Sequence, residues 1–141
     1  MGKLMSQPKT AEDSVKLKIN QFITAINTSN GISIRNCFAD TTSIYQTIFK
    51  SRDGQVEIRN EDIRVFAHVI SGFALGSANE KISLDVVKVS GPLATVWTPY
   101  KFYFDGKLHH CGVNSFQLVR LRDGWKIQYL IDTRNIDGCE K

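Results

Sequence analysis

The sequence predicts one α+β domain, with helices in the first half and an antiparallel sheet in the second. Three observations carry this. Apolar residues recur at helical spacing as far as Ile70. From Lys81 onward they alternate with polar residues, as in half-buried strands. Asp-Gly pairs at Asp105-Gly106 and Asp123-Gly124 divide the alternating runs, as hairpin turns do. Helices segregated from strands mean α+β rather than a parallel βαβ sheet.

The elements follow in order. Residues 1–10 read as a disordered lead-in. Thr10 has the spacing of an N-cap, with acidic residues close behind it. Val15, Ile19, Phe22, Ile23 and Ile26 then form one helical face. Asn27 to Gly31 ends that helix, and Gly31 is expected in a left-handed cap. A short helix follows, with Ile34, Cys37 and Phe38 inward and Cys37 acting as a small hydrophobe. Ser43 to Lys50 is a strand with Tyr45, Thr47 and Phe49 on one side, closed by the Asp53-Gly54 turn. Asn60 is the expected cap of a third helix striped by Ile63, Phe66, Ala67 and Ile70, with His68 off the stripe. Ile82, Leu84 and Val86 alternate in the next strand. Three long strands follow, Thr95 to Phe104, Leu108 to Leu121 and Trp125 to Thr133. Strands this long must curl. Pro99 calls for a bulge or an edge, because it has no N–H to donate. A domain spanning 11–134 with a loose tail at 135–141 results.

Composition excludes several classes. With 141 residues, 42% hydrophobic and 23% charged, the chain has a globular balance. The net charge of +4 is scattered rather than clustered, so nucleic acid is not an expected partner. No run approaches the ~20 apolar residues of a membrane span, and none near the start suits a signal peptide. Three cysteines at wide spacing make no disulfide framework, although they leave room for a single pair. The setting expected from this is cytoplasmic. Gly2 and Ser6 have the spacing of a myristoylation signal, a short and common pattern.

The order helix, short helix, strand, helix and long strands resembles the nuclear transport factor 2-like superfamily. Asp123-Gly124-Trp125-Lys126-Ile127 resembles its entry to the last strand. Val96-Trp97-Thr98-Pro99-Tyr100, Phe102-Tyr103 and His110-Cys111-Gly112-Val113 are similar to a bacterial branch called lumazine-binding-like or SnoaL-like. Many members of that branch have no known function. The resemblance covers roughly residues 12 to 134 and implies a conical cavity between a curled sheet and three helices. It also implies a range of activities, from isomerases, dehydratases and cyclases to proteins that only bind, and a homodimer packed through the outer sheet face.

His109-His110-Cys111 is the stretch most suggestive of chemistry. In a regular strand His109 and Cys111 share one face, and His110 shares the other with Gly112 and Asn114. The three then cannot converge on one metal, and no further ligand motif is present, so neither a metal nor another cofactor is expected. Cys111 reads as a packed thiol rather than a nucleophile. A small, partly aromatic or apolar molecule is the expected ligand, lined by Tyr45, Tyr100, His110, Asn114 and Tyr129, with Tyr129 inward beside Trp125 and Ile127. An isomerase, dehydratase or cyclase using His110 as general acid/base is the enzymatic alternative. A ligand-free interaction module with a filled cone is the third. Asp40 reads as a loop acid, Asp85 as outward, and Asp132 as pointing away from the pocket. Trp97, Lys101, Tyr103, Gln117, Val119 and Leu121 are assigned to the outer sheet face, where exposed apolar groups mark association.

Overall fold

The computed structural model describes residues 10–140. Of the lead-in expected at residues 1–10, residues 1–9, with the Gly2 and Ser6 pattern, lie outside them, and Thr10 is ordered as a helix cap. Among the described residues, no helix is long and apolar enough to cross a membrane.

Three helices come early: α1 (Ala11–Asn27), α2 (Gly31–Cys37) and α3 (Ile63–Ser71). Thr10 caps α1 by accepting from the Asp13 amide. The left-handed residue after α1 is Ser29, not Gly31. Gly31 instead opens α2, capped by Asn30. It lacks a side chain for a packing reason: a Cβ there would strike the Ala67 carbonyl and the Ser71 hydroxyl of α3. Asp62, two residues beyond the expected Asn60, caps α3 through the Arg64 and Val65 amides. Asn60 belongs to an additional strand. That strand has all but its last residue exposed, so it has no apolar alternation to announce it.

The strands are β1 (Ile44–Lys50), β2 (Val56–Glu61), β3 (Ala78–Ile82), β4 (Val86–Ser90), β5 (Leu93–Phe104), β6 (Lys107–Leu121) and β7 (Gly124–Thr133). They form one sheet in the order β2-β1-β7-β6-β5-β3, with β4 also on β5. Every pairing is antiparallel except β1 with β7. The strand expected from Lys81 is broken into β3 and β4 opposite Pro99. The Ser83 amide donates to the Pro99 carbonyl at 3.0 Å. A strand residue points its N–H and C=O to the same side, so the donor that proline lacks is missing on this edge, where the ladder breaks. Asp105 and Gly106 both have positive φ, the geometry of a two-residue type I′ hairpin.

The helices cover the concave side of the sheet. Val15, Ile19 and Phe22 of α1 and Ile34 and Cys37 of α2 pack with Val96, Phe116, Leu118 and Ile127. Phe22 meets the Phe38 and Phe116 rings edge-on at 5.6 and 5.9 Å. These contacts fill the narrow end of the cone. The wide end stays open.

The tail is fastened rather than loose. Cys111 and Cys139 form a disulfide, and Asn135 pairs with Cys111 through two backbone hydrogen bonds of 2.8 and 2.9 Å. Cys111 is therefore neither a free thiol nor a nucleophile, and the cysteine-based argument for a reducing compartment no longer holds. Cys37 stays a free, buried cysteine, and burial raises its thiol pKa.

Candidate functional site

The open end of the cone is a cavity of about 410 Å³. Its apolar wall is Phe22 and Ile26 of α1, Phe66, Val69, Ile70 and Phe73 on or just after α3, and Phe102, Phe104 and Leu130 of the sheet. The expected residues Tyr45, Tyr100, His110 and Asn114 all line it. Tyr129 does not. Asp132, expected to point away, does.

One bulge accounts for both reversals. Gln117 pairs with Tyr129 and Leu118 with Ile127, which leaves Gln128 as an extra residue on β7. An inserted residue inverts the alternation beyond it. Trp125 and Ile127 face inward before the bulge, and Leu130 and Asp132 after it. Tyr129 is turned to the outer face, where its hydroxyl donates to Gln46 Oε1 at 2.7 Å.

A second bulge changes the histidine pair. Phe102 pairs with His110 and Tyr103 with Leu108, so His109 is the extra residue on β6. Both imidazoles line the cavity, contrary to regular strand alternation. Their Nδ1 atoms are 2.8 Å apart, so one carries the proton and the other accepts it. His110 stacks on Phe102 at 4.9 Å, and its ring lies edge-on to Tyr100 at 5.7 Å. Burial, the Arg134 charge and His109 depress the His110 pKa to about 4, so its ring is neutral at pH 7.

The polar wall holds groups that alternation did not reveal. Glu80 is fixed from two sides. Its backbone exchanges hydrogen bonds of 2.7 and 3.0 Å with the Asn27 side chain, which pins the end of α1 to β3. Its carboxylate accepts from Asn114 Nδ2 at 2.9 Å. Burial lifts its pKa to about 7, helped by Asp132 and opposed by Asn114 and Arg134. Asp132 is 5% exposed, and its Oδ2 accepts from the Tyr45 hydroxyl at 3.3 Å. Burial raises it to about 6, against the pull of Arg134 and of the Thr47 and Tyr45 hydroxyls. Tyr45 is pushed well above its usual range by burial and then by Asp132, and Tyr100 is raised for the same two reasons. The Tyr100 hydroxyl donates to the Thr133 carbonyl at 2.8 Å. Arg134 closes the wall beyond β7. Burial works against its charge, but Tyr45, Asp132 and Tyr100 outweigh that and hold it protonated. On β2, Arg59 pairs with Glu61 at 3.1 Å and lies over the Phe49 ring.

Asp40 is an exposed loop acid whose carboxylate accepts from the Thr42 amide and hydroxyl, and Asp85 is exposed. His68 is exposed on α3. Among the described residues, no group of three or more His, Cys, Asp or Glu side chains has a metal-binding arrangement.

No protein-family model matches the sequence, and no curated protein matches it. Solved structures do. A domain of unknown function with a cystatin-like fold from Nostoc punctiforme superimposes with a TM-score of 0.69 at 19% identity, over 92% of this chain and 81% of that one. A protein of the nuclear transport factor 2-like family from Streptomyces avermitilis, suggested to be a dehydratase, gives 0.67 at 16% identity, over 91% and 98%. A nuclear transport factor 2-like protein of unknown function from Shewanella oneidensis gives 0.68 at 14% identity, over 88% and 99%. The fold of this chain is therefore the nuclear transport factor 2-like cone, also called cystatin-like.

Proposed function

We propose that this nuclear transport factor 2-like cone binds a small, partly aromatic or apolar molecule at its open end. The observation that carries the reading is the cavity itself. About 410 Å³ falls within the usual range of ligand sites, and its wall is mostly aromatic with a few convergent polar groups. A ligand-free module would have no need to leave this end of the cone unfilled. A thermal-shift screen of aromatic, heterocyclic and polyketide-like compounds tests the reading. A compound at one hundred times its Kd adds about 2.7 kcal/mol of stability. His110→Ala is expected to abolish the shift. Tyr129→Phe, on the outer face, is expected to leave it unchanged. A panel without hits, or hits indifferent to His110→Ala, counts against the site.

One observation favours an enzyme of the isomerase or dehydratase type as a second reading. Burial in the cavity wall lifts Glu80 and Asp132 toward neutrality, where a carboxyl can take up and return a proton. His110 is inward and neutral, as a general base requires, but its hydrogen-bond partner is His109 rather than a carboxylate. This moves the proposed acid/base role toward Asp132, with His110 in support. Asp132→Asn would then keep binding and lose turnover of any compound the protein converts, followed by NMR at stoichiometric protein.

The outer face supports a homodimer. Trp97 is 46% exposed there, with Leu93 and Leu121 also exposed near the β5 and β6 ends. Trp97→Glu is expected to shift the protein from dimer to monomer in light scattering, with the fold retained by circular dichroism. A wild type that is monomeric at micromolar concentration rules this out.

A further inference from the structure

We propose that the cavity's ligand is neutral, flat and aromatic, with a hydrogen-bond donor and acceptor side by side on one edge, as in the N–H and C=O of a lactam. This rests on the reading that the cavity binds a small molecule, and it names the class.

The argument starts from the hydrogen bonds the wall already makes. Tyr45 donates to Asp132, and Tyr100 to the Thr133 carbonyl. Asn114 donates to Glu80 and to Thr98 Oγ1 at 3.2 Å. Arg59 is engaged by Glu61, and the two histidines by each other. Two buried atoms on the wall have no partner: Asp132 Oδ1 and Arg134 Nε. One is an acceptor and the other a donor. They belong to residues two apart in sequence that both line the cavity, so the two side chains can converge on one edge of a ligand. Thr47 Oγ1, opposite Asp132 across the β1–β7 ladder, pulls on the Asp132 carboxyl without reaching hydrogen-bond distance, and it is not part of the cavity wall. Unpaired buried polar atoms are costly, so a ligand that satisfies both gains more than one that satisfies neither. The complementary edge donates to Asp132 Oδ1 and accepts from Arg134 Nε.

Charge narrows the class further. Arg59 and Glu61 neutralise each other at 3.1 Å. Glu80 and Asp132 then share the cavity with Arg134. A ligand anion would meet two carboxyl groups, and a ligand cation would meet the guanidinium, so a neutral polar edge is the best match. The rings of Phe66, Phe102, Tyr45 and Tyr100 supply faces and edges for a flat body.

Titration calorimetry of the full chain with three probes tests this: 2-quinolinone, N-methyl-2-quinolinone and 2-naphthoate. The first has both donor and acceptor, the second lacks the donor, and the third is an anion. The expected result is 2-quinolinone binding about tenfold or more tighter than either, the scale of one hydrogen bond to a charged group. In Asp132→Leu the preference over the methylated probe should disappear. In Arg134→Met both quinolinones should weaken. If Asp132→Leu does not fold, Arg134→Met carries the test. Equal binding of the two quinolinones, or tighter binding of the naphthoate, overturns the proposal and leaves small-molecule binding standing. A preference that survives in Asp132→Leu reports only the bulk of the methyl group and also overturns it. If no probe binds, and an apolar fluorescent dye does not bind either, this proposal and the binding reading fall together.

Discussion

Gly112→Ala is expected to destabilise the protein by about 3–5 kcal/mol, although it adds a single methyl group. Gly112 is opposite Tyr100 in the β5–β6 ladder and faces the end of β7. A Cβ at this position would overlap the Thr133 carbonyl oxygen and crowd the Thr133 hydroxyl. Backbone at a strand end held on both sides yields little. The Thr133 carbonyl accepts from Tyr100 at 2.8 Å, and its hydroxyl accepts from the Val113 amide at 2.9 Å. Moving Thr133 away loses both bonds, at about 1 kcal/mol each, on top of about 1–3 kcal/mol for overpacking. Thermal unfolding should show a Tm about 10 °C lower. Gly72→Ala is the control. Its φ is negative and its nearest neighbour would be 3.5 Å from the new Cβ, so it should stay within about 0.5 kcal/mol of wild type. A Gly112→Ala protein as stable as that control would show that the end of β7 is free to move. The cavity would then have a softer wall, because Arg134 follows Thr133 directly.

The fold was legible because its signals are local and repeated. Helical stripes such as Val15, Ile19, Phe22 and Ile26, and turns such as Asp105-Gly106, each act within a few residues. The failures have equally specific causes. β2 has almost no buried face, so Val56–Glu61 carries no alternation and Asn60 reads as the cap of α3 in place of Asp62. Regular alternation puts Tyr129 and Asp132 on the wrong faces because Gln128 is a bulge, and a bulge leaves no mark on composition. His109 joined His110 for the same reason. Glu80 reads as one more polar residue of an edge strand, and only its tertiary partners Asn27 and Asn114 reveal it as part of the wall. Asp53-Gly54 behaved as expected because both residues do their work within one turn. The disulfide could not be chosen from three cysteines. It depends on Asn135 pairing with β6, a contact between residues far apart in sequence.

Glu80→Gln is expected to make the protein more stable at pH 8 and no different at pH 4. In the folded protein the Glu80 carboxyl titrates near 7, against an ordinary value of 4.5. Between these two values the folded state holds a proton that the unfolded state has released, so stability falls as pH rises through that window. Full ionisation corresponds to about 3 kcal/mol, reduced to about 2 kcal/mol because Glu80 keeps some contact with solvent. Asp132 adds a second descent, between about 4 and 6, in the same direction. Glutamine keeps an oxygen for Asn114 Nδ2 and never ionises, so the Glu80 part of the slope should vanish and the Tm at pH 8 should rise by about 5 °C. Urea titrations from pH 4 to pH 8 measure this directly. Parallel curves for wild type and variant would mean that Glu80 is ionised in the cone without penalty. Asp132 lies close enough to raise Glu80, so part of the Glu80 descent depends on Asp132. Asp132→Asn should therefore also move the remaining descent toward lower pH. Two substitutions that each remove one ionisable group and improve the fold raise the question of what keeps those groups in place. Packing does not, since an amide fills the same volume. Under the enzymatic proposal, proton transfer does: Asp132→Asn, which gains stability at pH 8, is expected to keep any compound the cone binds and to lose its turnover.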